Sequence, residues 1–152
     1  VSPPVDNQPV LVNNFLQSSS ASEKSSVIRI GNTEIPVEVV SKDKDVQKGL
    51  SGRISLDQDK GMLFLFSHPS KYRFWMPDMR FPIDIIWIDD SRIADISANV
   101  PTDFDFVNPR FFSPSVPAQY VLEVNAGFAA RHDIKIGDAV VFGNLEKPYG
   151  NN

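Results

Sequence analysis

Two carboxylates stand where apolar residues are expected. Asp84 interrupts "PIDIIWID" (82–89) and Glu123 interrupts "YVLEVN" (120–125). Both runs read as β-strands, in which alternate side chains share a face. Asp84, Ile86 and Ile88 then point one way, and Ile83, Ile85 and Trp87 the other. Both faces are apolar enough to be at least half buried. A buried carboxylate must find donors or take up a proton. Arg53, in "LSGRI", is the expected partner, because a guanidinium grips a carboxylate with two parallel hydrogen bonds. Two readings stay open. In one, Arg53, Asp84 and Glu123 form a buried polar triad that specifies the fold. In the other, the two acids bind a ligand or work as a pair, as in glycoside hydrolysis. Trp75 and Met76 beside them would line a sugar or small-molecule pocket, although an aromatic–methionine pair suits a core equally.

Other chemistries lack their residues. The chain has no cysteine, which excludes disulfides, Cys-based zinc sites and thiol chemistry. His68 and His132 stand in unrelated contexts, so no metal site is expected. No G-x-S-x-G elbow is present, and "GNTEI" and "GLSGR" lack phosphate-binding spacing. "DQDKG" (57–61) lacks the downstream acid of a calcium loop and reads as a turn. No cofactor is expected. A net charge of −4 without a basic block sets nucleic acid aside as a partner. No apolar run approaches the roughly 20 residues of a membrane-spanning helix.

The elements that must carry these residues are short. "VIRIGNTEIPVEVV" (27–40) predicts a hairpin around Gly31-Asn32. Ser41 then caps a short helix over "KDKDVQKGL", stopped by Gly49 or Gly52. Strands are expected at 62–66, 72–76 and 83–89, with 92–100 as the hairpin partner of the last. Residues 101–118 form a loop that Phe104, Phe106, Phe111 and Phe112 would anchor. A strand at 119–127, a helical turn at "FAARHD" and a last strand within 134–143 follow. The fold class is mainly β: a compact antiparallel β-barrel or sandwich-like domain of seven to eight short strands with two short helices. Antiparallel hairpins are expected to dominate, because no long helix is available for a parallel crossover.

Several of these segments, taken in order, resemble the domain of unknown function 192 family. They are "KGLSGR", "GMLFLF", "FWMPDMRFPIDIIWID", "VLEVNAG" and "IKIGDAVVF", and the resemblance covers about residues 33–143. It implies a compact, β-rich domain, often exported by bacteria, and no established activity. Members often show G-L-M-x-R where this chain has "GLSGR", and W-M-K-N-T where it has "WMPDM". Pro77, Asp78 and Met79 thus replace a polar loop.

Residues 1–26 differ from the domain at 27–152. They are rich in proline and serine around one apolar stretch, Val10 to Leu16. Residues 9–17 are read as a donor strand that adds to the sheet edge of a second copy. Val10 and Val12 would fill one face, Leu11 and Phe15 the other, with Leu16 closing the stretch. The "SSSASEKSS" spacer reaches about 30 Å at ~3.3 Å per residue. Head-to-tail exchange of this kind makes a polymer. The chain begins at Val1, which is read as the product of signal-peptide removal, and hence as export to the cell surface or beyond. The first functional expectation is therefore an exported fibre subunit. The alternative is a periplasmic or cell-surface binding domain for a small molecule or glycan, followed by a carboxylate-pair hydrolase.

Overall fold

The computed structural model describes residues 26–145. The donor strand expected at residues 9–17 lies outside the described residues. Seven strands form one sheet: β1 (Ser26–Ile30), β2 (Thr33–Val40), β3 (Gly61–Ser70), β4 (Ile83–Asp89), β5 (Arg92–Val100), β6 (Ala118–Asn125) and β7 (Val140–Phe142). Their spatial order is β5-β4-β6-β3-β2-β1-β7. Two short helices accompany them, α1 (Asp43–Lys48) and α2 (Phe128–Arg131). The sheet curls until its two ends meet. Arg92 bridges Ala139, and hydrogen bonds join Ile93 to Asp138 and Gly137, and Ser91 to Val140. The architecture is the expected β-rich, barrel-like one.

Curling gives the sheet an inside and an outside. Inside are Ile28, Ile35, Leu63, Ile86, Ile88, Leu122 and Val124, all buried, with Phe128 and Ala129 of α2 closing one end. Outside, β3, β6 and β4 carry a second apolar layer. Met62, Phe64, Ile83, Ile85, Trp87 and Val121 pack there beneath Leu50, Met76 and Met79. Phe74 joins this layer edge-on to both Phe64 (5.2 Å between centroids) and Trp87 (5.3 Å). Strands covered on both faces read as continuous apolar runs, which is why "IDIIWID" shows no polar side.

Several expectations are corrected. The β2–β3 pair is parallel, Val37 facing Gly61, so the sheet is mixed rather than wholly antiparallel. The crossover is made by the 20-residue link 41–60, of which only α1 is helical. A dozen residues suffice for a parallel return, so a long helix is not required. Helix α1 starts from Lys42 with no side-chain cap rather than from Ser41. The strand expected at 72–76 is reduced to a single bridge between Phe74 and Phe112, because Pro77 follows and has no N–H to donate. In the loop 101–118, Phe112 packs on the outer layer and Phe104 meets Trp75 edge-on, while Phe106 is 80% exposed and touches the domain through an edge-on contact with Phe104 (4.7 Å between centroids).

Asp84 faces the barrel interior and is 1% exposed. It sits beside a bulge in β5, where two residue steps of β4 oppose three of β5 and Asn99 takes a left-handed φ of 53°. A bulge frees a backbone N–H from the ladder. The Asp84 carboxyl accepts that of Asn99 (2.8 Å), and those of Gly127 (3.2 Å) and Ala129 (3.0 Å) at the start of α2. One side chain therefore ties β4 to β5 and to α2. Asp84→Ala leaves these N–H groups without an acceptor and is expected to lower the unfolding free energy by about 3 kcal/mol. Urea denaturation measures this, and Asp84→Asn, which keeps one acceptor oxygen, should lose less. A variant as stable as the parent would show that these bonds are dispensable.

Candidate functional site

Register decides which side of the sheet each acid serves. Glu123 on β6 stands opposite Met62 of β3 and Ile85 of β4, while Asp84 stands opposite Val124. Directly opposed residues share a face. Glu123 therefore faces the outer layer and Asp84 the barrel interior. The paired-carboxylate arrangement for hydrolysis does not form, and neither does the polar triad. Arg53 instead makes a two-pronged pair with Glu38 of β2, both bonds 2.8 Å, in a part-exposed position. The physical reason is solvation: at the surface the guanidinium keeps its water, and Arg53 holds the Glu38 carboxyl below its usual range. Asp84 is served by backbone donors, so it needs no arginine.

Glu123 has no such service. It is 4% exposed, and no described group hydrogen-bonds its carboxyl. Burial pushes its pKa from 4.5 up to about 8, so it is neutral at pH 7. Its oxygens are not sealed off: the residue forms part of the lining of a cavity of about 190 Å³.

Two segments wall this cavity. One is the end of α1 and the turn after it, Val46 to Ser51; the other is Tyr72 to Met76 with Met79. They are stitched together by Ser51 Oγ donating to the Pro77 carbonyl (2.8 Å) and Gly52 N–H donating to the Asp78 carbonyl (2.9 Å). Gly49 bends the first wall with a φ of 48°, and its Cα lies so close to the Phe64 ring that a Cβ would come within 3.3 Å. Trp75 stands at the rim, half exposed, stacked parallel on Phe111 at 6.1 Å. Of the five residues singled out in the sequence, Trp75, Met76 and Glu123 meet in this cleft, and Arg53 and Asp84 do not. Tyr72, Arg73 and Lys48 also line it and carried no signal of their own. Among the described residues, no three His, Asp or Glu side chains group closely enough to hold a metal.

A family profile described as Uncharacterized ACR, domain of unknown function 192, matches residues 26–142. The chain belongs to this family. No curated protein matches it. Among solved structures, it is similar to a protein of unknown function from Novosphingobium aromaticivorans. They share 33% identity at a TM-score of 0.69, over 76% of this chain and 84% of that one. It is also similar to a protein from Sinorhizobium meliloti described as a candidate transcription regulator. There the identity is 26% and the TM-score 0.73, over 82% of this chain and 98% of that one. Two of the stretches that carry the resemblance, "KGLSGR" and "FWMPDM", supply most of the two facing walls of the cleft, and "VLEVNAG" supplies Glu123 at its floor.

The Glu123 proton has a measurable consequence. Between pH 4.5 and about 8 the folded chain holds a proton that the unfolded chain has released. The contribution is complete below the lower value, falls as pH rises through the window, and is gone above the upper one. The slope is about 1.4 kcal/mol per pH unit at most. Glu123→Gln, which cannot ionise, is expected to remove it. Denaturation midpoints of parent and variant across this window should diverge from each other; parallel curves would show that Glu123 does not titrate late.

Proposed function

We propose that this domain is a binding module that takes a small, largely apolar molecule into the cleft above Glu123. One observation carries the reading: a buried carboxyl, without a protein partner among the described residues, at the floor of a cavity with aromatic and methionine walls. Its oxygens open onto the cavity, so a ligand that hydrogen-bonds them takes the place of water there. The lining joins aromatic, leucine and methionine side chains to polar ones, Gln47, Lys48, Ser51, Arg73 and Glu123 among them, a mixture that can both bury a ring and orient it. Its volume of about 190 Å³ exceeds the ~150 Å³ of an engineered cavity that admits benzene. Assembly through residues 9–17 remains a reading of the sequence alone, and the cleft favours the binding reading over it.

Acetophenone is a suitable first probe, since it joins one ring to one hydrogen-bond acceptor. Titration followed by amide chemical shifts should perturb Leu50, Met76 and Glu123, with an affinity on the order of 1 mM. Val46 lines the cavity from α1, and Val46→Trp should fill the space and abolish the response while the fold persists. Unperturbed cleft resonances in the parent protein would overturn the reading.

A further inference from the structure

We infer that the natural ligand of this cleft is a small anion: a flat apolar body with a hydrogen-bond acceptor at its inner end, against Glu123, and a negative charge at its outer end, near Lys48 and Arg73. This rests on the binding reading and adds the ligand's charge and polarity to it.

The cleft is asymmetric in charge. Lys48, in the last turn of α1, and Arg73, on the opposite wall, both line it and are exposed. Neither forms an ion pair among the described residues. Arg73 is held at the rim by the Phe111 ring, 4.0 Å beneath its guanidinium carbon. Glu123 is the one acid in the lining. It keeps its proton below about pH 8, so it offers a donor and no charge. A cationic ligand would meet two like charges at the mouth and no carboxylate within. An anion meets two cations it can pair with, and an acceptor on its inner end meets the Glu123 hydroxyl. Tyr72, Phe74 and Trp75 line the space between, which suits a ring rather than a bulky body.

Four probes separate these features: para-acetylbenzoate carries acceptor and anion, para-ethylbenzoate lacks the acceptor, acetophenone lacks the anion, and para-acetylbenzylamine replaces the anion by a cation. Calorimetry below pH 8 should rank para-acetylbenzoate first. Loss of either feature should weaken binding by about tenfold. The Lys48→Gln/Arg73→Gln double variant should erase the advantage over acetophenone. Glu123→Leu should erase the advantage over para-ethylbenzoate, and Glu123→Gln, which still donates, should retain it. Equal binding of acetophenone and para-acetylbenzoate, or tightest binding of the amine, would overturn the anion inference and leave the binding reading standing. Failure of every probe to perturb the cleft would overturn both.

Discussion

The central stretches of β3, β6 and β4 have an apolar layer on each side. Any polar side chain they carry must be satisfied within the protein, lose its charge, or be met by something brought from outside. The two acids in these strands answer the constraint differently. Asp84 turns inward, where a bulge and the start of α2 present backbone donors, and its hydrogen-bonding capacity is taken up. Glu123 turns outward among Met62, Ile85 and Leu50, finds no donor, and gives up its charge. The first acid is thereby structural and closed. The second remains chemically open, and the cleft is built around that opening.

The parts of the fold legible in the sequence were those set by short-range chemistry. Gly31-Asn32 and Asp90-Ser91 each mark a tight turn between strands that pair with each other, and both hairpins are present. Long-range pairing left no such mark. Nothing near Gly61 announces that β3 lies parallel to β2, or that β3 runs on to Ser70 past a bulge because Ala118 pairs with it there. Two-sided burial also hides which face a residue serves. Asp84 and Glu123 looked alike in isolated strands, and only the pairing of Asp84 with Val124 and of Glu123 with Ile85 separates them. Arg53 looked like their partner because Glu38, one residue among the alternating polar positions of β2, gave no reason to be preferred.

The cleft combines a rigid floor with replaceable walls. Glu123 belongs to a strand paired on both sides, whereas Pro77, Asp78 and Met79 belong to a loop. Yet the stitches between the walls end on the main-chain carbonyls of Pro77 and Asp78. Any residue supplies a carbonyl. The side chains of Pro77 and Asp78 take no part in these two stitches, and of the three loop residues only Met79 lines the cleft. Loops held by a fixed scaffold are where binding specificity usually varies.

The position of β1 in the sheet sets an order of events during synthesis. β1 is the first described strand to be made, and it lies between β2 and β7. Its hairpin partner follows within ten residues, but the strand on its other side is completed only at Phe142, opposite Ile28. Throughout translation of the intervening chain, one side of β1 presents unpaired N–H and C=O groups, a ready template for the wrong strand. The barrel cannot seal before residues 137–142 leave the ribosome. A stall or truncation just short of them would yield a nearly complete domain with one edge of β1 uncovered.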